Sequence, residues 1–172
     1  MNSKERREYI KKLLSKNNIT YKGQFLADEL NVTRQVIVKD IAIIRAEGVS
    51  IISTSEGYLI RPNDESNFAR RVIAVTHTRE DIYDELYCIV KHGGVVEDVT
   101  VEHALYGELR AMIMIKTPMD IENFIKKFKE VNAKPLSSLT KGIHLHTIRA
   151  DNEKIMGNII KELKDKNYLV SD

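Results

Sequence analysis

The sequence has little of what would mark it as secreted or membrane-bound. It contains one cysteine, Cys88, which excludes a disulfide within the chain. No apolar run approaches the ~18 residues needed to cross a bilayer. The charged N-terminal segment MNSKERREYIKK has no apolar signal-peptide region. We therefore expect a cytoplasmic protein that makes no contact with membranes.

The chain also lacks a strong excess of charge, since its net charge is +2. As a whole it is therefore not built as a strong binder of polyanions. The small excess of positive charge is unevenly distributed along the chain. Residues 1–60 hold 10 Lys or Arg against 7 Asp or Glu, whereas residues 61–172 hold 17 against 18. The N-terminal part is the better candidate for binding an anion.

A domain boundary is predicted near residue 62. The segment RPNDESN combines Pro, Asn, Asp and Ser without any apolar residue, which is typical of a linker. The total length suits one large domain or two small ones. We expect a first domain over residues 1–61, a linker over 62–67 and a second domain over 68–172.

Three helices followed by a hairpin are predicted for the first domain. Apolar spacing indicates helices over about 4–15 and 24–30, and a third that follows the turn NVT and runs to about Ala46. Thr33 is a good N-cap for the third helix. The segment VSIISTSEGYLI reads as two short strands around Ser-Glu-Gly. Two helices joined by a short turn, with such a wing, form the layout of a winged helix-turn-helix DNA reader.

The start of the third helix carries residue types that read DNA. Arg34 and Gln35 can form paired hydrogen bonds with base edges, and Lys39 and Arg45 can reach phosphates. The alternative is a three-helix bundle with a solvated charged face. The segments LADEL, NVTRQVIVKDI and EGYLI, in this order, resemble the winged helix-turn-helix module of many bacterial repressors, including biotin-repressor-like proteins. The residues expected at the DNA are Thr33, Arg34, Gln35, Val38, Lys39 and Arg45.

The second domain alternates strand and helix patterns. Helices are expected to begin at Thr78, which would act as a cap, at Pro118 and after Asn152. The order β-α-β-β-α-β-α implies an α+β fold, a two-layer sandwich with helices on one face of a largely antiparallel sheet. The strands are predicted at RRVIAVTH, VVEDVTVEH, GELRAMIMIK and GIHLHTIR.

The last of these strands carries His144 and His146. Because side chains alternate along a strand, both histidines project to one face, and Leu145 is expected on the opposite face, in the core under the helices. Two neutral imidazoles are a strong start to a transition-metal site. The alternative is a solvent-facing strand edge.

Further ligands are not evident from local geometry. His77 ends a strand and Glu85 lies two turns into the next helix, so only the fold can bring them together. Cys88, one turn beyond Glu85, is a rival ligand. The motifs VTHTREDIYDEL, VEHALYGEL and KGIHLHTI together resemble the 3H domain, which follows a winged helix in niacin-responsive repressors of bacterial NAD biosynthesis and niacin uptake. The resemblance implies a phosphocarrier-like fold and a divalent transition metal (Zn, Ni, Fe or Mn) held by His77, Glu85, His144 and His146.

The resemblance also implies a function, that of a transcriptional repressor and not of an enzyme. The expected partners are operator DNA, a second copy in a homodimer, and nicotinic acid as corepressor. The acid would bind at an open metal position or beside it through His103 or Tyr106, and would favour the dimer that binds DNA. One alternative is a regulator that senses metal without an organic ligand. Another is a metal-dependent hydrolase joined to a DNA reader.

Overall fold

The computed structural model describes residues 1–16, 19–60 and 68–170. The chain divides into two compact units, Met1–Glu65 and Ser66–Asp172. The predicted linker, residues 62–67, lies outside the described residues. None of the helices within the described ranges is long and apolar enough to cross a membrane.

The first unit is a three-helix domain with a two-stranded wing. Its apolar stripes face one another, since the spacing of four and three residues between Ile37, Ile41 and Ile44 places all three in the core. The wing strands pair antiparallel. The elements are α1 (Ser3–Leu14), α2 (Gly23–Glu29), α3 (Arg34–Ala46), β1 (Ile51–Thr54) and β2 (Gly57–Ile60).

The stretch before α2 closes against the wing. The backbones of Tyr21 and Tyr58 exchange two hydrogen bonds of 2.9 Å, which adds a one-residue bridge to the hairpin. Gly57 has a φ of 136°, and a Cβ there would lie 2.2 Å from the carbonyl oxygen of Tyr21. Only glycine permits this close approach. Tyr21 therefore supports the wing.

The second unit confirms the predicted α+β order. Four antiparallel strands lie in the order β3-β6-β4-β5, and the helices pack on one face of this sheet. Ile148 and Ala150 on the central strand β6 are fully buried beneath them. A 3₁₀ turn, Leu136–Thr140, precedes β6. The elements are β3 (Ala69–Thr76), α4 (Ile82–Val90), β4 (Val95–His103), β5 (Gly107–Ile115), α5 (Pro118–Glu130), β6 (Ile143–Ala150) and α6 (Glu153–Asp165).

Two sequence-based expectations in this unit are wrong. Thr78 is not the N-cap of the helix that follows it. Its amide and hydroxyl both donate to the carboxylate of Asp81, and α4 begins at Ile82, the residue after Asp81. Leu145 does not lie in the core under the helices. It lines a groove on the uncovered face of the sheet, because the helix-covered face of β6 is the one that carries the two histidines.

Candidate functional site

The N-terminal end of α3 presents an exposed polar surface. Asn31 adopts a left-handed φ of 53°, which turns the chain between α2 and α3. The hydroxyl of Thr33 accepts a hydrogen bond from the amide of Val36, so this residue is the N-cap as predicted. The side chains of Arg34, Gln35, Val38 and Lys39 are all exposed on one side of the helix. This surface has the shape and chemistry required to enter a major groove.

Arg45 is placed differently from the other predicted DNA contacts. Its guanidinium donates to the carbonyl of Ile51 at 3.0 Å and to the hydroxyl of Ser53 at 2.5 Å, so it ties the end of α3 to the wing. Asp40 was not singled out in the sequence. It is buried in this helix and accepts a 2.6 Å hydrogen bond from Arg6, which fastens α1 to α3. Its position beside Ile41, on the apolar face, is the sequence signal that marks it.

In the second unit, four side chains from three parts of the fold meet on the helix-covered face of the sheet. His144 and His146 lie on β6, His77 follows β3, and Glu85 lies on α4. The ring centroids of His144 lie 4.9 Å from His77 and 4.8 Å from His146. One carboxylate oxygen of Glu85 lies 3.9 Å from Nε2 of His77 and 3.7 Å from Nε2 of His146. We call these four residues the histidine cluster.

The three imidazoles share one hydrogen-bonding arrangement. Each Nδ1 donates to a backbone carbonyl oxygen: Thr78 for His77 at 2.7 Å, Gly142 for His144 at 2.8 Å, and Asp98 for His146 at 2.6 Å. A carbonyl can only accept, so in the neutral ring the proton lies on Nδ1 and Nε2 keeps its lone pair. Histidines that bind metals are held in this way, with the second nitrogen fixed by a carbonyl or carboxylate.

Burial sets the protonation of the cluster. It raises the pKa of Glu85 to about 7, although the charge of His77 opposes the rise. It lowers the pKa of His144 to about 4, assisted by the neighbouring His146. Burial likewise lowers the pKa of His146 to about 4, although its hydrogen bond to Asp98 opposes the fall. Near neutral pH, His144 and His146 are therefore uncharged and able to act as electron-pair donors.

The cluster borders a cavity of about 60 Å³. Apart from Ser137, the remaining lining is apolar, and it includes Ile82, Phe124 and Phe128. Cys88 does not line this cavity. It lies on α4 and is buried in the core, where burial raises the pKa of its thiol to about 11, so this rival ligand is not brought to the cluster.

His103 and Tyr106 lie at the turn between β4 and β5 and do not line the cavity either. The Nδ1 of His103 accepts hydrogen bonds from the amides of Leu105 and Tyr106, both at 3.2 Å. It therefore stabilises the turn. Tyr106 is exposed, and its ring lies 5.1 Å from that of His103.

The fit of the cluster to a metal ion rests on its unpaired atoms. Nε2 of His77 and one carboxylate oxygen of Glu85 are buried without a hydrogen-bond partner, an arrangement that is costly unless a ligand completes it. Within the described ranges, no three His, Cys, Asp or Glu side chains are already spaced as a finished metal cage. Donors bound to one ion lie roughly 3.0–3.4 Å apart, so the distances of 3.9 and 3.7 Å from the Glu85 carboxylate to His77 and His146 would have to shorten to hold one.

A buried acidic residue supports the cluster from the other side of the sheet. The carbonyl of Asp98 orients His146, while its carboxylate accepts the amide of Thr147 at 3.0 Å and pairs with Arg110. Asp98 is fully buried on the central strand β4. Sequence reasoning missed this residue. Its signal is an acidic pair, Glu97-Asp98, between the valines of β4.

Comparison with known proteins identifies both units. The HTH domain model matches residues 6–59 and the 3H domain model matches residues 70–172. The chain is 39% identical over 168 residues to the probable transcription repressor NiaR of Thermotoga maritima, covering 98% of this chain and 95% of that protein. It is 38% identical over 169 residues to the transcription repressor NadR of Bacillus subtilis, covering 97% and 94%. The chain therefore belongs to the niacin-responsive transcriptional repressor family, in which a helix-turn-helix domain precedes a 3H domain.

Proposed function

We propose that this protein represses genes of NAD biosynthesis or niacin uptake, with nicotinic acid as corepressor bound near a divalent metal. It would act in the cytoplasm as a homodimer on operator DNA. The observation that carries the proposal is the histidine cluster, whose three Nε2 atoms are left as acceptors around a buried carboxylate. Both relatives are named transcription repressors, which supports a regulator and not an enzyme.

The first unit would read the operator through α3. Arg34 and Gln35 are exposed at its N-terminal end and can bind base edges, while Lys39 can bind a phosphate. Arg45 supports the wing in the free protein, so a phosphate contact would compete with its bonds to β1. One such unit contacts a half-site, and a two-fold dimer on a palindromic operator doubles the contacts.

The second unit would hold the metal ion. His77, Glu85, His144 and His146 would be its ligands, and zinc, nickel, iron and manganese all suit this nitrogen-rich set. When bound, the ion supplies an electrophilic centre to which an anionic effector is attracted. The protein's own contribution is to fix the imidazole tautomers through backbone carbonyls and to surround the cluster with apolar side chains.

A regulator that responds to the metal alone is the second candidate, and one observation favours it. The cavity beside the cluster measures about 60 Å³, whereas a cavity of about 150 Å³ is the size known to hold benzene. An ion and water fit inside it, but a pyridine ring does not. Nicotinic acid could therefore bind only by extending beyond this cavity.

Fluorescence anisotropy with labelled operator DNA separates the two candidates. The protein is measured without metal, with Zn²⁺ alone, and with Zn²⁺ plus nicotinic acid or nicotinamide. We expect tight binding only when Zn²⁺ and nicotinic acid are both present. Full affinity with Zn²⁺ alone would establish the metal sensor instead. Light scattering of the same samples tests the homodimer.

A further inference from the structure

A groove on the surface of the second unit opens next to the histidine cluster. It measures about 520 Å³ and lies between α4 and α5. Ile82, Phe124 and Phe128 line both the groove and the smaller cavity, so the two spaces share a wall of three apolar side chains. A planar aromatic molecule too large for the cavity has room in the groove.

Arg79 lines the same groove, and its positive charge forms no ion pair within the described part of the chain. Its guanidinium carbon lies 5.0 Å from the ring centroid of Phe128. This cation–π contact holds the charge against the shared wall. Among the residues the structure describes, no carboxylate lies within ion-pair distance of this guanidinium, although Glu80 lines the groove as well. Lys129 is the other cation there, so the local charge is positive by one.

We infer that Arg79 binds the carboxylate of an aromatic monocarboxylic acid whose ring lies against Phe124 and Phe128. This inference rests on the proposed function and names the residue that selects the acid over its amide. An arginine presents two parallel N–H donors to a carboxylate, whereas a neutral amide has no negative charge to pair with the guanidinium. The ring would stack on the aromatic wall, with its far edge directed to the cavity of the cluster.

The geometry also explains how one effector bound in the groove could affect the histidine cluster. Arg79 follows His77 by two residues, and Ile82 lies three residues before Glu85. The segment from β3 to α4 therefore carries the groove's cation, part of the shared wall, and two members of the cluster. An acid held by Arg79 would fix this segment, and with it the positions of His77 and Glu85.

Calorimetric titration of Zn²⁺-loaded full-length protein tests the assignment. The variants are Arg79→Gln and Arg79→Lys, with Lys126→Gln as a matched control, since Lys126 is exposed on α5 and does not line the groove. The main probes are nicotinic acid and nicotinamide, which share a ring and differ in charge, and benzoic acid and picolinic acid are titrated as further aromatic acids. We expect Arg79→Gln to weaken nicotinic acid binding by about 10- to 100-fold, with Arg79→Lys intermediate. Nicotinamide binding and zinc content should be unchanged in both.

Two results would overturn the inference in different ways. Wild-type affinity of Arg79→Gln for nicotinic acid removes Arg79 from the site while leaving the proposed corepressor in place. Failure of the wild-type protein to bind nicotinic acid, benzoic acid or picolinic acid removes the inference and the proposed effector together. Binding of benzoic acid alone, lost in Arg79→Gln, would retain the role of Arg79 and replace nicotinic acid as the effector.

Discussion

The pH dependence of metal binding should be governed by Glu85. Burial raises the pKa of this carboxyl to about 7, so in the metal-free protein it still carries a proton in mildly acidic solution. A ligand carboxylate has to lose that proton before an ion can bind. His144 and His146, whose pKa values burial lowers to about 4, are already neutral above pH 5 and release none.

The size of the effect follows from the titration of one group. With a pKa near 7, Glu85 is ~25% protonated at pH 7.5 and ~97% protonated at pH 5.5. Its share of the loss in metal affinity over this range is therefore ~25-fold, or ~1.9 kcal/mol. An unperturbed glutamate would contribute nothing measurable here. Histidines at their ordinary pKa of ~6.5 would contribute ~10-fold each.

The assay is a zinc titration against a chelator of known affinity at pH 7.5 and 5.5. Wild-type protein, Glu85→Gln and His92→Gln are compared. His92 is hydrogen-bonded to Glu162 and does not line the cavity, so its variant controls for loss of an imidazole elsewhere. Glu85→Gln should bind zinc more weakly than wild type at pH 7.5, and the ratio of wild-type to variant affinity should be ~25-fold smaller at pH 5.5. An equal affinity ratio at both pH values would refute the reasoning.

The same substitution has a separate effect on stability. Because the pKa of Glu85 is higher in the folded protein than the ordinary value of 4.5, the folded state binds more protons, and metal-free protein loses stability as the pH rises from about 4.5 to 7. Glu85→Gln removes this loss. Urea unfolding of metal-free protein should therefore show the variant to be the more stable form at pH 8, and close to wild type at pH 4.5.

Four further expectations concern other single substitutions. Arg34→Ala should weaken operator binding by about 1–3 kcal/mol, measured by anisotropy, without changing the melting temperature; unchanged affinity would move recognition to the wing. His146→Ala should reduce zinc content measured by atomic emission, and full occupancy would remove this residue from the ligand set. Arg110→Ala leaves the buried Asp98 without its cation and should lower the free energy of unfolding by about 1–3 kcal/mol. Leu145→Ala, on the uncovered face, should have a smaller effect in the same urea titration.

Local sequence patterns accounted for most of the elements. The apolar spacing along α3 and the cap at Thr33 are both present, because each depends only on residues within one or two helical turns. The predicted start of α4 was wrong because local patterns offered two candidate caps. Thr78 and Asp81 are both good capping residues, and only the hydrogen bonds between them decide which one precedes the helix.

The histidine cluster could be predicted only in part. The period of two along a strand correctly places His144 and His146 on the same side of β6, because this is a local property of strands. It does not tell which side faces the helices, and the expectation for Leu145 failed on that point. The convergence of Glu85 with the histidines depends on how α4 crosses the sheet, a long-range feature that spacing along the chain does not encode.

The placement of the histidines inside the domain is itself an argument for a bound ligand. On the covered face of β6, Ile148 and Ala150 continue the apolar core at one end of the strand. At the other end, the same face carries the buried polar side chains of His144 and His146. Backbone carbonyls satisfy Nδ1 of each ring, but Nε2 of His77 and one carboxylate oxygen of Glu85 are buried without partners. A domain selected for stability alone would place apolar side chains at these positions. A bound cation, as proposed above, would offset the cost of these unpaired atoms, because it is a partner that imidazole nitrogen and carboxylate oxygen can share.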